Sequence, residues 1–346
     1  MASTLRDLIT ADATHATSYR IPHLDALAPD DAGLDRCTPL TRVLQLSKDP
    51  REYLAAIATE DLNTLDGHGA SPLNVALLHC WTDAAEALLA RGADPNRPDG
   101  NGVLPVDVVM GHPAGDAHVD VLKKAKVDAK RRFPGGRTFA HLAVERDATQ
   151  AFGRLKKLGT PLDAVDDAGE APLHRALRTR FCAAALVKAK ASPDVRRADG
   201  ETPLSIAAQW ALSTRVASWR SEGETVGGKS AAYEIRDGVM SYSLAGKPKP
   251  IDRKNERLIA NRFCPPHADF LLFLETCALF CATADLSLPT PDGGPIAQLL
   301  ADLAHPDLAA VLAKRGVTLP PARSNPVANL SRIGPPPTPI LLLSRG

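Results

Sequence analysis

Aromatic residues are scarce in this 346-residue chain, at 4% of the total. Cores of β-sandwiches and base-stacking nucleic-acid surfaces draw on just those side chains. Charge of one sign is lacking too, because 41 Lys and Arg meet 40 Asp and Glu. That balance supplies no global field to steer the chain onto nucleic acid or an anionic membrane. No apolar run approaches the roughly 20 residues that span a bilayer. The opening MASTLRDLITADATHATSYR lacks the continuous apolar stretch of a conventional secretory signal. Six widely scattered cysteines fit a reducing compartment better than a disulfide framework. These absences leave a cytoplasmic chain, with no membrane partner, as the expectation.

What the chain has in quantity is Ala and Leu, which suit closely packed helices, and these recur with a period. The prolines of Thr38-Pro39-Leu40, Ser71-Pro72-Leu73 and Leu104-Pro105-Val106 are 33 residues apart. Thr138-Phe139-Ala140-His141 follows, then Ala171-Pro172-Leu173-His174 and Thr202-Pro203-Leu204. Proline at the first helical position presets φ and wastes no hydrogen bond, and a preceding Ser or Thr can cap the helix. Gly92, after the run 84–91, sits where a helix ends in a left-handed residue. Asp99-Gly100 and Asp199-Gly200 supply tight-turn chemistry. Two short helices with one apolar face each cannot bury that face alone, so neighbouring pairs must stack.

In these features the chain resembles the ankyrin-repeat family, most closely in DGHGASPLNVALLHCWTDAAEALLARGADPN (66–96) and DDAGEAPLHRALRTRFCAAALVKAKASPDV (166–195). The resemblance covers most of 35–318 and implies an all-α ankyrin-repeat solenoid. Only the 138–141 copy keeps both the Thr and the His of the family's helix start. Pro203 and Pro295 are 92 residues apart, which places an insertion at 213–264 inside the sixth repeat. Seven helix pairs are then expected, starting at 38, 71, 104, 138, 171, 202 and 294. Segment 1–34 and the Pro-rich tail 319–346, with its GPPPTP and terminal ILLL, read as flexible.

The family likeness implies binding through turn tips and a concave face. Tip residues would be Arg97, Asp99 and Asn101, then Arg131, Arg132 and Phe133, then Asp166 and Asp167, and last Arg196, Arg197 and Asp199. Their mixed signs suit one folded protein partner better than a uniformly charged polymer. Phe133 stands out as an apolar ring in a polar tip, the composition of an interface anchor. In the insertion, Tyr233, Ile235, Val239 and Tyr242 alternate about Asp237-Gly238, the signature of a β-hairpin whose open edge can accept a partner strand. The basic stretch LKKAKVDAKRRF (122–133) reads as a solvated helix and turn, with an acidic partner as the sharper alternative.

Two other patterns carry chemistry. GETVGGKS (223–230) matches the letters of a phosphate-binding loop, whose glycines and lysine cradle phosphates between a buried strand and a helix. Here VASWRSE precedes it and a predicted hairpin follows, so the context is wrong and a nucleotide-binding enzyme ranks as the alternative from another class. Cys264, His267, Cys277 and Cys281 have zinc-ligand types, yet the surrounding LLFLETCALFCA is core-like and small thiols fill helix contacts. Cys80 beside His79 and Trp81 lacks an accompanying base and orienter. The expectation is a non-catalytic protein-binding module without cofactor or metal, with nucleic acid disfavoured. The Ala/Arg-rich style suggests a bacterial source, with a secreted effector acting on host proteins or a toxin-neutralising inhibitor as variants of that role.

Overall fold

The computed structural model describes residues 31–323, apart from 48, 113, 178, 180, 216, 217, 221–223, 227, 228, 237, 245, 246 and 252. The N-terminal segment before residue 31 and the tail after 323, with GPPPTP and ILLL, lie outside the described residues. The chain divides into two compact units, Met1–Asp167 and Ala168–Gly346.

A 3-10 helix, Asp31–Arg36, is the first described element of the first unit. Four helix pairs follow it: α1 (Pro39–Leu46) with α2 (Pro50–Thr59), α3 (Pro72–Leu78) with α4 (Thr82–Ala90), α5 (Pro105–Gly111) with α6 (Asp116–Lys124), and α7 (Phe139–Glu145) with α8 (Ala151–Leu158). The period-33 prolines are indeed first helical residues. Thr38 Oγ1 accepts the Thr41 N–H at 3.1 Å and Ser71 Oγ accepts the Asn74 N–H at 3.2 Å, each satisfying one of the orphan donors of a helix start. α1 packs on α3 and α3 on α5, while α2 packs on α4 and α4 on α6. Every residue of α3 and of α5 is buried. Leu77, Leu78, Val108 and Leu88 are fully covered, each a side chain whose burial is worth about 1.5–3 kcal/mol. Short helices of this kind hold only because neighbours supply the other wall.

One polar clamp crosses this core. Arg154 of α8 is buried and donates from Nη1 to the carbonyls of Val109 (2.9 Å) and His112 (2.7 Å), while its Nε reaches Asp116 at 3.1 Å. It thereby satisfies the orphan carbonyls at the end of α5.

The second unit carries three further pairs: α9 (Pro172–Ala176) with α10 (Cys182–Lys188), α11 (Pro203–Thr214) with α13 (Pro265–Phe280), and α14 (Ile296–Leu303) with α15 (Pro306–Lys314). Seven pairs therefore stand among the described residues. Between α11 and α13 lie five strands and a helix, α12 (Arg253–Phe263). The expected hairpin is present as β3 (Lys229–Arg236) and β4 (Val239–Leu244), with Tyr233 opposite Tyr242 and Arg236 opposite Val239. The insertion is more ordered than a loop with one hairpin. β1 (Ser218–Arg220) and β2 (Glu224–Val226) both pair antiparallel with β3, and β5 (Lys247–Pro250) pairs with β4. Ile235 and Met240, opposite one another, are buried. Glu256 of α12 fastens the sheet by accepting the Met240 N–H at 3.0 Å and meeting His267 Nε2 of α13 at 3.1 Å.

The ends of the second helices show what degeneracy costs. Gly92 after α4 has φ +102° and Gly159 after α8 has φ +91°, the left-handed termination glycine favours. After α6 and α10 the same termination falls on Lys126 (φ +58°) and Lys190 (φ +71°), where a Cβ is penalised by roughly 1–2 kcal/mol. Lys126→Gly and Lys190→Gly are each expected to raise stability by about 0.5–1 kcal/mol, after the added chain entropy that glycine gives the unfolded state is set against the relieved strain. Urea unfolding checks this, and an unchanged or lowered midpoint for both contradicts it.

Candidate functional site

The turns that precede the helix pairs share one construction. The N–H of Asp66 donates to the carbonyl of Ala70 (3.1 Å), Asp99 to Val103 (3.0 Å), Phe133 to Arg137 (2.8 Å), Arg197 to Glu201 (2.9 Å) and Thr290 to Gly294 (2.7 Å). Where the first residue is Asp, its carboxylate turns inward. Asp99 Oδ1 accepts the N–H groups of Asn101 and Val103, both at 2.9 Å, and Asp66 Oδ1 does the same for His68 and Ala70.

At five of the helix starts the fourth residue completes the closure with whatever polar side chain it has. His174 Nδ1 accepts the Ala171 N–H at 3.1 Å and its Nε2 faces the Glu201 carbonyl at 3.3 Å. His141 Nδ1 takes the Thr138 N–H at 3.1 Å and lies 2.9 Å from Thr138 Oγ1. Asp107 accepts the Leu104 N–H, and Ser205 Oγ accepts that of Thr202. Asn74 reaches forward, donating to Asp99 Oδ2 and to the Val103 carbonyl, both at 3.0 Å. Degenerate letters perform one task.

This construction sorts the tip residues read from sequence. Asp99 and Asp166 are buried. Asp99 is consumed by its own turn and by Asn74, while Asp166 sits 3.9 Å from His141 Nε2. Neither presents a free carboxylate. Asn101 donates to the His68 carbonyl at 2.8 Å, one turn back. Phe133 occupies the slot of Asp99 one repeat later. Its ring meets Phe139, which stands in the proline slot, edge-on at 4.9 Å, with the Arg131 guanidinium 5.9 Å from its centroid. Phe133 is thus a packing residue rather than a projecting anchor. Arg131 donates to the Asn96 carbonyl, and Arg132 to those of Gly136 and Val165.

In the second unit Arg197, not Asp199, fills the first turn position. It pairs with Glu170 at 3.3 Å and with Asp199. That guanidinium holds the Asp199 carboxyl below its ordinary range. Exposed among the predicted tips remain Arg97, Arg132, Asp167, Arg196 and Asp199. Lys130, within the basic stretch, is exposed beside them.

The turns of the first unit are also stitched to each other. Gly100 N–H donates to the Gly69 carbonyl at 2.8 Å, Gly67 N–H to the Arg36 carbonyl at 2.7 Å, and Asp167 N–H to the Gly135 carbonyl at 3.1 Å. At Gly100 the approach is so close that a Cβ would lie 3.0 Å from the Gly69 Cα. A side chain there would push the two turns apart by a few tenths of an ångström.

The hairpin itself has no open edge, because β5 covers β4 and β1 and β2 line β3 as the opposite border of the sheet. β5 ends the sheet and carries Pro248 and Pro250, which supply no N–H to an added strand. Tyr233 and Tyr242 are half-buried on the face of Ile235 and Met240, with Tyr233 stacked on Phe263 at 5.5 Å. Of the phosphate-loop letters, the described residues 224–226, 229 and 230 lie on a strand pair. Val226 of β2 is opposite Lys229 of β3, so Lys229 and Ser230 belong to an antiparallel strand and no helix opens behind the glycines.

Cys264, His267, Cys277 and Cys281 do not converge, and among the described residues no three His, Cys, Asp or Glu side chains are placed to hold a metal ion. Burial pushes the Cys281 thiol up to about 12 and the Cys277 thiol well above its ordinary value, so both stay protonated packing groups. Cys80 Sγ lies 3.4 Å from His112 Nδ1. Burial raises that thiol and lowers His112 to about 4, leaving two neutral partners rather than a thiolate–imidazolium pair. Sequence reading missed one cluster altogether. Asp302 of α14, buried, accepts from Gln298 and from Arg323 of the segment beyond the last helix pair. No repeat period marks that contact.

Buried histidines make the closure sensitive to acid. Burial lowers His79, His112 and His174 to about 4 from 6.5. Between those values the unfolded chain binds protons that the folded chain refuses, so stability falls as pH drops from about 6.5 to about 4. His174→Asn, which installs the residue that serves at position 74, is expected to remove His174's share of that slope. Urea unfolding at about pH 7 and pH 4.5 tests this, and an unaltered slope in the variant contradicts it.

No family model matches the chain. A 147-residue stretch, 42% of the chain, is 30% identical to "Neurogenic locus notch homolog protein 1" of Xenopus tropicalis, and likewise to that of Homo sapiens. A 209-residue stretch is 26% identical to "Neurogenic locus notch homolog protein 2" of Mus musculus. The chain spans 6% of the length of the first and 8% of the second. Among solved structures, the ankyrin repeat domain of Bcl-3 aligns with a TM-score of 0.47 and 17% identity over 80% of this chain and 98% of that one. Within the described residues no helix is long and apolar enough to cross a membrane. With successive helix pairs starting at or near a 33-residue spacing from 38 to 202, and with the same closed turn before five of them, the chain has an ankyrin-repeat fold.

Proposed function

We propose that the chain is a non-catalytic module that binds a folded protein through the turns of its first unit, with Arg97, Lys130, Arg132 and Asp167 as contact residues. The observation that carries this reading is the stitching of those turns. Gly67, Gly100 and Asp167 each donate a main-chain N–H to the segment or turn before them. A surface held by its own backbone loses little conformational entropy when it docks. Its exposed charges have both signs, a pattern that selects one complementary protein surface. Arg97 and Lys130 suit this role best, because the hydrogen bonds that hold their turns come from backbone groups and from other side chains. In the second unit Arg196 and Asp199 are exposed on the equivalent turn and extend the same reading.

Affinity capture with the full chain, followed by kinetics on the captured protein, tests it. Arg97→Glu with Lys130→Glu is expected to slow association about tenfold at low salt while leaving the unfolding midpoint unchanged. Lys156→Glu, on the exposed side of α8, is expected to leave binding unaltered. A partner that binds the double variant as fast as the wild type contradicts the assignment.

A further inference from the structure

Beyond α15 the chain turns back in an extended run, residues 319–323, that returns to α14. Three atoms of that run are read by two side chains. Gln298 Nε2 donates to the Pro321 carbonyl at 3.0 Å, and Asp302 accepts the Arg323 N–H on Oδ1 at 2.8 Å and Arg323 Nε on Oδ2 at 2.7 Å. Gln298 also donates to Asp302 Oδ1 at 3.0 Å, which fixes both groups relative to each other. The Asp302 side chain is 0% exposed, whereas Arg323 is 40% exposed. A carboxylate withdrawn that far from water is strongly penalised unless a cation meets it, and the cation that meets it is Arg323. Simple capping of a last helix needs only an apolar cover, so the buried acid is an expensive choice for that purpose alone. Reading a main-chain carbonyl, a main-chain N–H two residues on and a guanidinium is the grammar of peptide recognition. Pro320 and Pro321 hold the run in an extended form in advance, which keeps its ordering entropy small.

We propose that Gln298 and Asp302 form a binding site for an extended proline–arginine segment, which residues 319–323 fill in cis. The site lies on α14 and stands independently of the turn surface. A segment tethered by so short a connection acts at an effective concentration of order millimolar. A free peptide of the same chemistry therefore meets an occupied site, and enters freely only when Arg323 lets go.

The test uses the full chain and the capped pentapeptide Leu-Pro-Pro-Ala-Arg, titrated into the millimolar range and followed by NMR at Gln298 and Asp302. The Arg323→Ala protein is expected to bind it at least about tenfold more tightly than the wild type, where the cis segment competes. The pentapeptide with Ala in place of Arg is expected to bind neither protein. Gln298→Ala added to Arg323→Ala is expected to weaken binding several-fold. Arg323→Gln, which keeps a donor for Asp302 without the guanidinium fork, provides a second background with the same expected order should Arg323→Ala fold poorly. Equal responses from wild type and variant, or binding that ignores the peptide's arginine, overturn the proposal and leave residues 319–323 as a cap only.

Discussion

The structure depends on a tight turn closed by a buried polar side chain. A five- to twelve-residue helix has little stability of its own, and the apolar faces of α3 and α5 would accept several sliding registers against their neighbours. Hydrogen bonds do not slide. Asp99 accepts two N–H groups of its own turn while Asn74, on the preceding helix pair, donates to that carboxylate and to the Val103 carbonyl. This turn therefore fixes the helix that follows it and the helix start that precedes it. Hydrophobic burial supplies most of the energy and the closed turns supply the alignment.

This division of labour decides which charged residues are available for contact. Arg131, Arg197, Asp99 and Asp166 look like surface groups in the sequence, yet the fold engages them with a carbonyl, with carboxylates, with amide N–H groups and with a histidine respectively. Removing any of them disturbs the turn before it disturbs a partner. The insertion follows the same economy. Tyr233 stacks on Phe263 of α12, and the edge strand β5 carries two prolines, which offer another chain no donor.

The helix starts were legible because proline marks all but one of them, Thr38, Ser71 and Thr202 add a hydroxyl cap, and the spacing stays near 33 residues as far as 202, so that Phe139 could be placed by register alone. The seventh start shifts slightly, since Pro295 serves as the N-cap and α14 begins at Ile296. Turn residues were harder. Asp99 and Asp199 share an Asp-Gly signature, but the fifth copy is two residues shorter, so Arg197 takes the closing position there. Phe133 looked exposed because its partner Phe139 replaces a proline, a paired exchange that no single-position reading exposes. β1 and β2 have three residues each, too short for a period-2 pattern, and the prolines of β5 argue against a strand except at a sheet edge. The Asp302–Arg323 contact joins residues 21 apart without any repeating mark.

Native-state amide hydrogen exchange at the turns tests the central claim most directly. The N–H groups of Gly100, Asn101 and Val103 bond to the Gly69 carbonyl and to Asp99. If closed turns set the alignment of the helix pairs, these three amides exchange only as slowly as the buried helices α3 and α5 open, in one cooperative event. Fast exchange at the three turn amides, with α3 and α5 still protected, contradicts the account.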